Sequence, residues 1–230
     1  MIFLNLVLWT SIYKVVRYMA QDYKCCLLKD WSSNDDSRKL AFYAVSTVHS
    51  LIMSILPLYY YYTSPERGLI REFNDNELKL VDLSMSYFLW DYYYVYLYKS
   101  VPFFIHHTMG IAYMLIFKYQ PLGGLFLYSI FLPEVTTPML NLWTLCKIKK
   151  YPLFDLINAP FTYFYIFMRV FCITGFNTFG LLTMLYSNKI DWKIIYTLLG
   201  ISGIYTFGNI SWSNQLYNGY KKWLLKRKKD

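Results

Sequence analysis

Apolar residues in this 230-residue chain gather into blocks 18–24 residues long, and that block length constrains the fold more than any other feature. At about 1.5 Å per residue, such a block makes a helix just long enough to cross a hydrocarbon core of roughly 30 Å. Seven are legible: residues 2–19, 40–62, 79–98, 102–119, 122–145, 154–177 and 194–212. Helix-start signals fall beside them, with Ser100 and Pro102 at the fourth, Pro121 at the fifth, Pro152 and Asp155 at the sixth and Asp191 at the seventh. The first block has neither a basic leader nor a small-residue cleavage site, so it reads as an uncleaved anchor. An apolar content of 56% with only 16% charge excludes an ordinary soluble domain. The expectation is an all-α polytopic membrane protein of about seven transmembrane helices.

Orientation follows from the short loops, because cytosolic loops retain Lys and Arg. One side carries Lys14, Arg17, Lys24, Lys29, Arg38, Lys39, Lys99, Lys147, Lys149, Lys150 and a C-terminal run from Lys221 to Lys229. The other carries Arg67, Arg71, Lys79, Lys118, Lys189 and Lys193, sixteen basic residues against six. The basic side, which includes the C-terminal tail, is therefore expected in the cytosol. The net charge of +9 suits anionic lipid headgroups and calls for no nucleic-acid partner. The tyrosines at 59–62 read as an interfacial belt. Lys226 and Lys228 stand fifth and third from the end, the spacing of a dilysine signal read by the coat complex that returns proteins to the endoplasmic reticulum; a plain basic tail is the alternative. Cys25, Cys26, Cys146 and Cys172 lie on the cytosolic side or within a span, so none is placed for a lumenal disulfide. Abundant Tyr, Ile, Lys and Asn fit an AT-rich genome, a protist's or a large virus's, in which case a host membrane holds the protein.

Polar residues inside the blocks carry the functional signal. His106 and His107 are adjacent in "FFIHHTMGIAYML", one to two turns from the cytosolic end, and point about 100° apart, so one neighbour cannot satisfy both. Counted inward from the cytosolic ends, Asn158 lies about one turn deep, Asp91 about two, His49 about two to three, Glu134 about three and Arg169 about four, and Asn209 joins the polar face of the seventh block. Helical spacing puts Ser84, Tyr87, Asp91 and Tyr94 on one face, Glu134, Thr137 and Asn141 on another, Asn158, Thr162, Tyr165 and Arg169 on a third, and Ser202, Thr206, Asn209 and Ser213 on a fourth. A charge at the bilayer centre costs about 2.5–3.5 kcal/mol, so Asp91, Glu134 and Arg169 must face inward, with Arg169 a counter-ion to Glu134 or Asp91. Pro133 and Pro138 flank Glu134 and are expected to kink that helix.

The ordered set "DDSRKLAFYAVSTVHSLI", "DLSMSYFLWDYYY", "IHHTMGIAY", "FLPEVTTPMLNLWTL" and "INAPFTYFYIFMRVF" resembles the TLC domain (TRAM, Lag1 and CLN8 homology) family over residues 32–213. Residues 1–31 would then be an anchor and linker, and 214–230 a basic cytosolic tail. The resemblance implies six helices around a central lipid-accessible cavity, with the first helix outside. It also implies a place in lipid metabolism. Ceramide synthases of this family carry a His pair, matched by His106 and His107, followed by a His-Asp-x-x-Asp cluster. Here "PEVTTP" at 133–138 stands instead, which puts the chain nearer the small TLC-domain proteins.

The residues suggest one chemistry on their own. Acyl transfer from a thioester needs a base or nucleophile titrating near neutrality, and histidine supplies one unaided. Asp91 would orient one imidazole of the pair, making His106, His107 and Asp91 the candidate catalytic set. His49, Glu134, Asn158, Arg169 and Asn209 would line the polar cavity or hold it together. Acyl-coenzyme A is the candidate co-substrate, its phosphates meeting the basic rim, and membrane lipids are the other partners. No bound cofactor and no metal are expected. The competing expectation is a non-enzymatic protein that binds a lipid or cargo in the same cavity.

Overall fold

A computed structural model describes residues 1–21, 30–97 and 101–227. Lys24, Cys25, Cys26, Lys29, Tyr98, Lys99, Ser100, Lys228 and Lys229, and with them half of the dilysine spacing, lie outside the described residues. The rest is almost entirely helical: α1 (Ile2–Gln21), α2 (Asn34–Thr63), α3 (Asp75–Leu97), α4 (Val101–Lys118), α5 (Gly123–Glu134), α6 (Thr137–Lys149), α7 (Leu153–Ile166), a π-helical segment (Phe167–Cys172), α8 (Ile173–Ser187) and α9 (Trp192–Arg227).

Local chemistry explains where these helices begin and end. Ser33 caps α2 by accepting the Asp36 amide, and Asp35 and Asp36 place negative charge on its first turn. Asn74 Oδ1 accepts the amides of Asn76 and Glu77 at the start of α3. Lys150 ends α6 and Asn188 ends α8, each with φ of 54°, a left-handed conformation that closes a helix.

Each expected block falls on helix over most of its described residues, and the fifth, sixth and seventh depart from a single straight span. The fifth is broken: Pro133 and Pro138 bracket a turn at Val135–Thr136 that separates α5 from α6. The sixth and seventh outrun their blocks, so α7 to α8 is helical over 35 residues and α9 over 36. The region beginning at 214, expected to be a tail, therefore continues α9 as far as Arg227. Trp223 of this extension donates to Asp155 at 2.9 Å, and Tyr220 packs on Tyr163. Among the described residues, α2, Leu153–Ser187 and α9 are helical runs both long enough and apolar enough to cross a membrane. Large apolar side chains lie on the outside, among them Phe3, Leu156, Tyr186 and Phe207, as a lipid-facing surface requires.

Packing combines chain neighbours with several contacts between helices far apart in the chain. Contacts run from α2 to α3, α3 to α4, α4 to α9, α9 to α7 and α8, and from these through α5 and α6 back to α2. α1 leans on α2 and α3. It is more than an anchor, because the Trp9 indole is fully buried, donates to Ser86 Oγ at 3.1 Å and meets the His49 ring edge-on.

The two ends are fastened differently. At the end remote from the basic tail, Arg71 grips Glu77 with two bonds of 2.7 and 2.6 Å, while the Arg71 and Leu69 carbonyls accept the Gly123 and Leu125 amides at the start of α5. Gly124 permits this approach, since a Cβ there would collide with the Gly68 carbonyl. At the basic end, Lys149 pairs with Asp36 at 2.7 Å and lies over Trp31.

Candidate functional site

Adjacent positions on α4 give the two histidines different fates. His107 Nδ1 lies 2.7 Å from the Phe103 carbonyl, which can only accept, so Nδ1 carries a proton. Its Nε2 meets the Asp91 carboxylate. Both ring nitrogens are thus spent. The sequence suggested that Asp91 orients an imidazole and leaves its second nitrogen free; for His107 that nitrogen is held by the helix itself.

His106 turns the other way. Its ring sits edge-on to Tyr205 and Trp212, with centroids at 5.0 and 5.5 Å, and its carbonyl accepts the Tyr205 hydroxyl at 3.2 Å. Among the described residues neither ring nitrogen of His106 has a hydrogen-bond partner. The ring faces a cavity between α3, α4, α5, α8 and α9 that is partly open to the outside. Phe88, Met114, Phe126, Ile130 and Ile173 make most of its wall apolar. Glu134, Asn177, Asn209, Ser129, Ser202, Tyr113 and Tyr205 add polar atoms. Gly110, one turn from His106, keeps the space: a Cβ there would lie 2.6 Å from the Phe88 ring and 2.9 Å from the Tyr205 hydroxyl.

Behind the cavity wall stands His49, fully buried on α2. Its ring stacks on Tyr87 at 3.8 Å, its Nε2 is 3.2 Å from Ser84 Oγ, and its Nδ1 is 3.9 Å from Glu134 Oε2. The order carboxylate, imidazole, hydroxyl has the form of a nucleophile-activating triad. Ser84 is wholly buried and does not line the cavity, so it has no access to a substrate.

Arg169 corrects another expectation. Among the described residues no carboxylate lies within ion-pair distance of it. Its Nε donates to Thr136 Oγ1 at 3.0 Å and its Nη2 to Thr137 Oγ1 at 3.4 Å, and the guanidinium lies over the Tyr165 ring. The π-helical segment that carries Arg169 and the proline-bracketed turn that carries the threonines are both local departures from α-helix, and they meet. The arginine closes the break between α5 and α6, with Glu134 in electrostatic reach.

Asn158 and Asn209 divide similarly. Asn158 Oδ1 accepts the Trp143 indole at 2.9 Å and does not line the cavity; Asn209 does, and its buried Oδ1 has no partner. The structure thus brings His106, Glu134 and Asn209 to the cavity and sets His107, Asp91, His49 and Arg169 around it. Tyr205, Tyr113 and Asn177 were missed, because a lone tyrosine or asparagine among 25 tyrosines and many polar stripes carries no distinguishing spacing. Gly110, small and one turn from a histidine, was the signal that could have marked a close approach. Among the described residues no group of three or more His, Cys, Asp or Glu is gathered to hold a metal ion.

No curated protein sequence matches the chain significantly. The family model of the TLC domain matches residues 39–218, which takes in α2 to α9 and leaves α1 outside. With most of its length covered by that match, the chain belongs to the TLC domain family, whose members are typically membrane proteins of lipid metabolism.

Proposed function

We propose that this protein transfers an acyl group from acyl-coenzyme A to a lipid acceptor, with His106 as the general base and the cavity beside it holding the acyl chain. The observation that carries this is the partition of the His pair: His107 is saturated, while His106 presents an unpartnered imidazole to an apolar cavity. As the acceptor's oxygen or nitrogen attacks the thioester carbon, its proton passes to His106. The Asp91–His107 pair holds α3 against α4 and so fixes the helix that carries the base. On this reading the chain is nearer the small TLC-domain proteins than the ceramide synthases; the support is "PEVTTP" itself, whose Thr136 and Thr137 are engaged by Arg169.

On this reading the chain crosses seven times, the excess of Lys and Arg at the basic end supports a cytosolic side there, and α2 to α9 form the six-span ring with α1 outside it. The address is the endoplasmic reticulum, with Lys226 and Lys228 as the coat-recognised signal. Exposed Lys150 and Lys222 then stand where the coenzyme A phosphates approach, whereas Lys149 is committed to Asp36.

A binding protein without chemistry is the second reading. It is favoured by one observation: Asp91 is spent on His107, so it does not orient His106. Lipid analysis of cells expressing the wild type beside a His106→Ala, His107→Ala double variant separates the two. Acyl transfer requires that the wild type change acyl-lipid composition and the double variant not. An equal change from both would leave only binding.

A further inference from the structure

Among the described residues, the buried polar atoms without partners include His49 Nδ1, Asp91 Oδ1 and Asn209 Oδ1. Of these, His49 Nδ1 directly faces a carboxylate that lines the cavity. We propose that Glu134 is a second catalytic residue, the acid that protonates the leaving thiolate, and that His49 is the positioning residue that holds it.

The inference rests on the acyl-transfer reading and on three features. Glu134 ends α5 at the proline-bracketed turn, where the helix stops constraining it, and its side chain is 13% exposed toward the cavity. His49 cannot move to meet it, since its ring is clamped between Tyr87 and the Trp9 edge and its Nε2 is engaged by Ser84. The gap of 3.9 Å is about 1 Å longer than a hydrogen bond, so a small rotation of the freer partner closes it. A bare nitrogen lone pair and a carboxylate would repel at that distance; in the proposed state His49 Nε2–H donates to Ser84 Oγ, and Glu134 carries the acid proton toward Nδ1.

The step balances. The acceptor's proton goes to His106, the acyl–sulfur bond breaks as the new acyl bond forms, and the sulfur takes the proton of Glu134. His106 then returns its proton to Glu134 across the cavity both line. Arg169, His107 and Asp91, from the π-helical segment, α4 and α3, supply the remaining charge around Glu134.

With three histidines in the chain, ¹⁵N-histidine NMR in nanodiscs resolves each ring. Glu134→Gln should shift the His49 nitrogens and leave the His107 pair in place, with Glu134→Asp intermediate. With a radiolabelled long-chain acyl-coenzyme A and microsomal lipid in the nanodiscs, Glu134→Gln should lower kcat by about 100-fold with KM little changed, and Glu134→Asp should recover part of it. Unchanged His49 resonances in both variants would overturn the pair. Wild-type transfer matched by both variants would overturn the role of Glu134 while leaving the acyl-transfer reading intact. No transfer by the wild type, with His49 still responding to Glu134, would sink the acyl-transfer reading and reduce the pair to a structural contact.

Discussion

Among the described residues two groups of buried charge stand out, and they are built on opposite plans. The Arg71–Glu77 pair is closed around its carboxylate: Glu77, with 0% exposure, takes two bonds from the guanidinium and one from the Asn74 amide, and Arg71 also donates to the Glu72 carbonyl, with its Nε alone of the pair's charged atoms left without a partner. The group around the cavity is open, with His49 Nδ1, Asp91 Oδ1 and Asn209 Oδ1 unpartnered and His106 facing empty space. Saturated polar burial fastens a structure, and unsaturated polar burial costs stability and is retained where chemistry or a ligand uses it. The closed pair is the strap of the fold, and the open group is its candidate site.

The comparison is broken most severely at the closed end. Arg71→Ala strands a fully buried carboxylate and should cost about 3–5 kcal/mol, seen as the largest fall in melting temperature of the purified protein. A loss no greater than that of a surface variant would show the strap to be ornamental.

Arg169→Ala tests the boundary between the two plans, since it removes hydrogen bonds to two threonine hydroxyls and no ion pair. A cost of about 1–3 kcal/mol is expected, below that of Arg71→Ala. A larger loss than Arg71→Ala would restore the internal ion pair inferred from sequence.

At the basic end, the hydrogen bonds of Lys149 and Ser33 hold the Asp36 carboxyl below its ordinary value of 3.8. A lowered carboxyl contributes stability that is complete above that value and fades as pH falls through the lowered one. Asp36→Asn should therefore cost less than about 1 kcal/mol at neutral pH, and the difference from wild type should vanish in acid. A difference that persists unchanged in acid would assign the effect to the Ser33 cap instead.

Much of the architecture was legible because lipid imposes a length on every helix and a cost on every inward charge. The polar stripes of α3, α7 and α9 are buried as helical spacing required: Ser84, Asp91, Asn158, Thr162, Arg169, Asn209 and Ser213 all face inward. Partner choice was legible only in part. Asp91 was expected to hold one imidazole of the pair and does hold His107, but spacing says nothing of rotation about the helix axis, and that rotation sends Arg169 to two threonines rather than to a carboxylate. The π-helical segment also escaped, since nothing in "FMRVFC" breaks an α-helix by propensity. The Arg71–Glu77 strap, six residues apart across a loop, was counted only as loop charge. The place of Trp9 against His49 depends on α1 docking, which no short-range pattern encodes.

The most direct measurement takes the two adjacent histidines one at a time. His106→Ala and His107→Ala should be compared in nanodiscs for melting temperature and for acyl transfer from labelled acyl-coenzyme A. His106→Ala is expected to melt near the wild type and to transfer nothing, while His107→Ala strands Asp91 and should melt markedly lower. A His106→Ala protein that folds and transfers acyl groups as fast as the wild type would contradict the assignment of the base.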